Sequence, residues 1–536
     1  MEHGPVRLGS RPVPGRGRGL RARAARRLAR PLGGGRPGVL RQGAPRGRGR
    51  RRPRAHPAPR GRHGYVPLGR HRILGRPAPH PAGRRARQRR RGQRHGGRRR
   101  AALGHLGGER ASRGHRARGH DRRAGERPHP GDADRPRGPP EGTGAAAVTH
   151  TLHLLDPEPT PAWAPFAGIR PLSELRVGAA LVRESWEAFV GAETTAIFAL
   201  PHLAGFREPG VPVVTALRPV DGPAVIGASA FAPRGLAPAF PAGDIRLTHA
   251  GRTVGWVVGP GSTWTRPSDA GPALEVAGLV LRGVFDLVPA LERLLGAELA
   301  TRLEGGDAIP RGSTVIGEPA WLALHATAVE PGVVFDTAAG PIVLESGVAV
   351  KSGTRLEGPL WVGANTQLLG GPIRASAIGP YCKIRGEVST CVFLGYANKA
   401  HDGFVGHSVI GRWVNLGAGT VTSDLKNTYG PVRLDVNGTA LETGLQFLGS
   451  LIGDHAKTAI GTLLGTGTVI GAGANVFDAV RPPKYVPPFA WGGSGPERMR
   501  RDGFLRVAER VLPRRDVPVD EAARACLARL YDWATR

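Results

Sequence analysis

Residues 398–423 read NKAHDGFVGHSVIGRWVNLGAGTVTS. Inward-type residues recur there about every six positions, at Ile410, Leu416 and then Val421 or Thr422, each close to a glycine or another small residue. This is the beat of a hexapeptide parallel β-helix, in which one short strand and one tight turn repeat. Glycines serve the corners, where the backbone needs φ > 0 or a close approach. Set into the scaffold is a lone histidine, His401, with Asn415 fourteen residues further on.

The beat extends in both directions. It begins near Ile316, is clearest in IVLESGVAVKSGTRLEGP (342–359), breaks at 424–443 and resumes from Phe447 through Val480. Inside the break, VRLDVNGTAL (432–441) flanks Asn437-Gly438 with alternating residues, which predicts a projecting hairpin. The prolines of RPPKYVPP (481–488) end the repeat, since proline cannot donate to a ladder. Residues 496–512 and 519–534 then carry the spacing of two short amphipathic helices, as a cap or an oligomer contact. The C-terminal segment is thus expected at 481–536 and the β-helix at 309–480.

Upstream, residues 148–308 read as an α/β layer domain. Strands are expected at 151–156, 196–201 and 211–216, and helices at 179–190 and 284–299.

The first 147 residues are a different material. They hold 41 of the 76 basic and 7 of the 42 acidic residues, so the whole net charge of +34 lies there and the remainder is neutral. They contain no Lys, Asn, Phe or Trp, and cannot bury enough apolar area to offset the entropy of ordering. The missing Lys, Asn and Phe have AT-rich codons and the abundant Arg, Gly, Pro and Ala GC-rich ones. The segment therefore reads as GC-rich DNA translated upstream of the true start, with Val148 as a GTG initiation codon. The alternatives are a solvated tail and an arginine-rich nucleic-acid arm. The near absence of stacking aromatics, Tyr65 alone, argues against the arm. Cys382, Cys391 and Cys526 form no disulfide framework, which fits a cytoplasmic protein, and no run of about 18 apolar residues suits a membrane span.

Four motifs in order, GYANKAHDGFVG (395–406), VNLGAGT (414–420), LKNTYG (425–430) and TGLQF (443–447), carry a resemblance. Residues 150–493 resemble the bacterial bifunctional N-acetylglucosamine-1-phosphate uridyltransferase/glucosamine-1-phosphate acetyltransferases. The similarity is strongest to an alternative branch of sugar nucleotidyltransferases with a left-handed β-helix. The resemblance implies a transferase that makes activated amino sugars, acetylating glucosamine 1-phosphate from acetyl-CoA and then coupling it to UTP with Mg²⁺, as a homotrimer. It implies His401 as the catalytic base, a role suited to a group titrating near neutrality. It implies Arg385, Lys399 and Lys426 as phosphate partners, Asn415 as a sugar contact, and Ala418, Ser450 and Ala472 along an acyl-CoA groove. Phe404 and Asp424 depart from the family pattern, which has Tyr and Asn there.

RPLSELRVG (170–178) resembles the opening motif of the nucleotidyltransferase half, implying Arg170 and Arg176 as nucleotide contacts. The usual Gly-x-Gly-Thr-Arg loop is absent, and nothing selects among Asp156, Asp221, Asp244 and Asp286 as Mg²⁺ ligands. A histidine metal site needs three converging ligands; His401 and His407, six apart, are expected on different sides of the coil, and His455 is remote. Two other readings stay open: nucleotidyl transfer alone with the β-helix as an oligomerisation element, and a non-catalytic β-helix scaffold with a nucleic-acid tether. Mass spectrometry of the native protein is expected to find no peptide upstream of Val148; abundant peptides from Pro31 to Arg100 would overturn the mis-start.

Overall fold

The computed structural model describes residues 149–325 and 327–536, all within one compact unit. The expectations for residues 1–148 lie outside the described residues.

Strand Thr151–Leu155 is central to a seven-stranded mixed sheet. It runs parallel to Thr194–Phe198 on one side and to Ala224–Ala228 on the other, and antiparallel Arg252–Val258 follows beyond the latter. Helix α1 (Val182–Val190) buries Trp186, whose indole donates to the Phe231 carbonyl at 3.0 Å. Gly227 permits this packing, because a Cβ there would lie 2.5 Å from the Trp186 ring. Helix α2 (Leu287–Ala300) begins three residues later than its apolar spacing predicts, after a 3-10 turn at Val284–Asp286.

From Thr314 the chain winds into a three-faced parallel β-helix. The first face is a six-stranded sheet from Thr314–Ile316 to Val405–Gly406, continued by Val421–Thr422 and Leu463–Leu464. The second is a nine-stranded sheet from Leu322–Leu324 to Tyr485–Val486. The third runs from Ala328–Val329 to Asn398–Lys399 and on through bridges joining Asn398, Asn415 and Lys457. The interruption at 424–447 contains the expected hairpin, Arg433–Val436 with Thr439–Glu442. Both of its turn residues have φ > 0, Asn437 at 51° and Gly438 at 80°.

The second face is apolar on both sides. Its inward ladder includes Leu344, Val362, Ile378, Phe393, Ile410, Ile452, Ile470 and Val486, stacked in the solenoid core. Its outward ladder, Val343, Trp361, Ala377, Val392, Val409, Leu451 and Val469, is equally buried, under α2 and the mixed sheet's core. Strands covered on both faces read as continuous apolar runs. Here Ile342–Leu344 (IVL) and Leu360–Val362 (LWV) show it.

The C-terminal helices α3 (Arg501–Val511) and α4 (Glu521–Ala534) pack on each other, and α4 also packs on the turn Pro201–Leu203. Trp533 stacks on His202 with centroids 4.6 Å apart. Cys382, Cys391 and Cys526 are free and buried, and no helix among the described residues is long and apolar enough to cross a membrane.

Trp361 tests the shared seam. It lies 4.3 Å beneath the Arg176 guanidinium, donates to Glu345 at 2.8 Å and is nearly buried. Trp361→Ala is expected to cost about 3–5 kcal/mol in urea unfolding. Lys383→Ala, on the exposed side of the third face, should stay within about 0.5 kcal/mol.

Candidate functional site

The coil geometry assigns each expected site residue to a corner or a face. Coils stack at the corner between the third and first faces through Gly419 N–H to Asp402 carbonyl (3.1 Å) and Gly461 N–H to Ala418 carbonyl (2.8 Å). This corner carries Arg385, His401 and Ala418, followed by Ile460 and Phe477. His401 is exposed, and its imidazole has no hydrogen-bond partner among the described residues. Arg385 is also exposed, with Nε 3.2 Å from Asp402 and Nη1 donating to the Leu369 carbonyl at 3.0 Å.

Lys399 is placed differently from a phosphate partner. It occupies the inward ladder between Ile384 and Leu416 and is 2% exposed. Its ammonium donates to the main-chain carbonyls of Arg385 (2.7 Å) and His401 (2.9 Å), so it ties together the two turns that present those side chains. Burial pulls its pKa down to about 8. Lys399 is therefore a strut beneath the site.

The acyl-CoA groove expected of Ala418, Ser450 and Ala472 is not formed within one chain. Ala418 is on the His401 corner. Ser450 lies at the corner between the first and second faces, fully buried beside Ser408, and Ala472 at the corner between the second and third. The residues sharing the His401 corner above Ala418 are Ile460 and Phe477, 82% and 50% exposed, which sequence reasoning missed.

His407 and His401 do fall on different corners. His407 Nδ1 meets Asp424 Oδ2 at 2.7 Å, so the Asp424 carboxylate turns to His407 and away from His401. Phe404 packs over Gly406, where a Cβ would come within 2.3 Å of the ring.

The His401 corner separates two cavities. On the first face a cavity of about 610 Å³ is lined by Lys426, Arg481 and Lys484 together with Asn427, Thr428 and apolar residues. Lys426 Nζ donates to the Pro431 carbonyl at 3.0 Å. On the third face a cavity of about 260 Å³ contains Asn415, with Asn398 and Lys457 beside it. Among the described residues no acidic side chain lines either.

The nucleotide contacts expected at Arg170 and Arg176 are corrected by burial. Arg170 is 0% exposed, pairing with Asp454 at 3.0 Å and with Glu208, which also accepts from Arg412 at 2.8 Å. Arg176 is buried over Trp361 and bonded to the Ala179 carbonyl. Both guanidiniums are held in the seam between the mixed sheet and the β-helix, where a nucleotide has no access. Gly283 packs closely on the turn that follows Thr151–Leu155: a Cβ there would lie 2.4 Å from the Ala162 carbonyl.

The four carboxylates considered for Mg²⁺ do not converge. Asp156 accepts from Leu172 N–H, Asp221 from Thr263, Asp244 from Gly259 N–H and Asp286 from Arg282. No group of three or more His, Cys, Asp or Glu side chains that could hold a metal ion occurs among the described residues.

A hexapeptide β-helix with an exposed corner histidine, fused through a common core to a mixed α/β sheet, matches the class that the sequence motifs resemble. No family model matches the chain. Among curated proteins it is similar to a bifunctional sugar-1-phosphate nucleotidylyltransferase/acetyltransferase of Sulfurisphaera tokodaii, 35% identical over 91 residues, 17% of this chain and 23% of that protein. It is also similar to the bifunctional protein GlmU of Methanococcus vannielii, 30% identical over 106 residues, 19% of this chain and 25% of that one. The GlmU of Methanocaldococcus jannaschii is 29% identical over 86 residues, 16% of this chain and 21% of that one. These matches bear out the resemblance to bifunctional transferases, and the chain spans about a quarter of the length of the relatives it matches.

Asp156 offers a test of the α/β part. Burial raises its pKa from 3.8 to about 7. A carboxyl with a raised folded-state pKa is fully tolerated below its unfolded value and becomes destabilising as pH rises through the folded one. Asp156→Asn should therefore unfold later than the wild type in urea at pH 8, and the difference should vanish by about pH 4. An unchanged difference across that range would show that Asp156 is not desolvated.

Proposed function

We propose that the chain acetylates the amine of a sugar 1-phosphate, with glucosamine 1-phosphate the acceptor suggested by the resemblance, using acetyl-CoA as donor. The observation that supports this best is the corner itself: an exposed His401, unpartnered among the described residues, on a corner whose two flanking faces each carry a cation-lined cavity without acidic lining. Two phosphate-bearing substrates can then approach one base from two sides.

His401 accepts the proton of the attacking amine as the C–N bond forms at the thioester carbonyl. Collapse of the tetrahedral adduct breaks the C–S bond, and the sulfur leaves as CoA thiol after protonation. Arg385 and Lys426 serve as phosphate partners. Arg385 can exchange its exposed Asp402 contact for a substrate, since such pairs are worth little. Asn415 contacts the sugar, and Ala418 with Ile460 and Phe477 lines the acyl side. Lys399 acts through the turns it ties.

The exposed apolar corner suits a subunit contact, and a homotrimer in the cytoplasm is the expected working form. Nucleotidyl transfer alone gains no support from the α/β part, whose two expected arginines are sequestered.

His401→Ala is expected to lower kcat for acetyl transfer by about 10² to 10⁴ with KM for the sugar phosphate nearly unchanged. Arg385→Ala should chiefly raise KM. Thermal unfolding and oligomeric state serve as controls; near-normal kcat in an intact His401→Ala protein would refute the mechanism.

A further inference from the structure

The third-face cavity has a roof that comes from the C-terminal segment. Arg514 and Arg515, in the 3-10 turn that continues α3, line it together with Lys457, so three cations face about 260 Å³ with no carboxylate among the lining residues. Arg515 is held in place: Nη2 donates to Asn398 Oδ1 at 2.9 Å and Nε to the Tyr381 carbonyl at 3.3 Å. Asn398 in turn donates to Asn415 Oδ1 at 3.4 Å, which leaves the Asn415 amide N–H groups for a ligand. Among the described residues the Lys457 ammonium bonds only the His455 carbonyl, at 3.0 Å, and burial pulls its pKa down to about 8. Arg514 is exposed and has no ion pair among the described residues.

Like charges gathered in a partly desolvated cavity repel unless an anion joins them. A guanidinium fork with an adjacent ammonium and side-chain amides matches a tetrahedral phosphate. The stacked rings of Tyr396 and Trp413, 4.4 Å apart, supply an apolar wall for the group that carries it. His401 follows Asn398 by three residues, on the order of 10 Å along an extended chain.

We propose that this cavity is a phosphate pocket, completed by Arg514 and Arg515 of the C-terminal segment, that anchors the phosphate of a substrate presented to His401. The C-terminal helical segment is then part of the binding site. Only the carrier of the phosphate rests on the acyltransfer reading. It is either the sugar 1-phosphate or CoA.

Isothermal titration calorimetry on the full chain tests this with inorganic phosphate, glucosamine 1-phosphate and CoA as separate titrants. Arg515→Gln and Arg514→Gln are each expected to weaken inorganic phosphate about ten- to a hundredfold. Arg514 is exposed, so its variant should fold normally, as thermal unfolding will check. Selective loss of glucosamine 1-phosphate affinity identifies the sugar phosphate as occupant, and selective loss of CoA affinity identifies the thioester carrier. In turnover, KM for that substrate should rise with kcat kept. His401→Ala should bind inorganic phosphate like the wild type, so failure of the acyltransfer reading leaves this result intact. Wild-type phosphate affinity in both arginine variants, or no phosphate binding by the wild type, would overturn the pocket.

Discussion

The outward ladder of the second face is the constraint on which the other arrangements depend. A β-helix normally presents polar residues to water on its outer surface, but Val343, Trp361, Val392, Val409, Leu451 and Val469 present apolar side chains on every coil. Burying each contributes roughly 1.5–3 kcal/mol, so the face must be covered. α2 covers its earlier coils and the hairpin strand Arg433–Val436 its last one, at Val469, both within the core cluster that also holds the mixed sheet's apolar residues. The two parts therefore share a core and hold the His401 corner in a fixed relation to the α/β sheet.

That seam also explains why the arginines of RPLSELRVG do not serve a nucleotide. Arg170 pairs with Asp454, 284 residues away, and Arg176 lies on Trp361. Removing either partner would strand a buried charge, which is strongly destabilising. In this chain the motif has become the joint between the two parts. Sequence could not reveal this, because partners so distant in the chain are found only after both parts are folded and docked.

The corner of the site was legible up to the point where counting fails. Arg385, His401 and Ala418 follow one another at 16 and 17 residues, one coil each, so no long insertion separates them and all three fall on one corner. The interruption at 424–447 destroys the count, and Ser450 and Ala472, both beyond it, fall on other corners. Ile460 and Phe477 take the places expected of them. The third-face ladder Gln367, Lys383, Asn398, Asn415, Lys457 and Asn475 went unread for a related reason. It is uniformly polar and free of acids, but its members are 15 to 42 residues apart and form a pattern only when the coils stack. The helices at the C-terminus were visible from amphipathic spacing, whereas their delivery of Arg514 and Arg515 to this ladder depends on packing that no local pattern encodes.

Lys399 shows how a solenoid can fix the position of an exposed corner. The inward ladder of the third face is otherwise Val329, Val350, Leu368, Ile384, Leu416, Thr458 and Val476, and an ammonium among them is costly unless its hydrogen bonds are met. Two carbonyls meet them, one from the turn that carries Arg385 and one from His401 itself. Sheet hydrogen bonds fix strands, but a corner has few of them, and an exposed histidine at a corner would otherwise sample many positions. A buried cation drawing two successive turns toward a single point removes that freedom, since leaving the point would strand its charge. The stability given up by placing a lysine in the core is thus converted into a defined separation between His401 and Arg385 on the coil below it, which a hydrophobic residue at 399 could not provide.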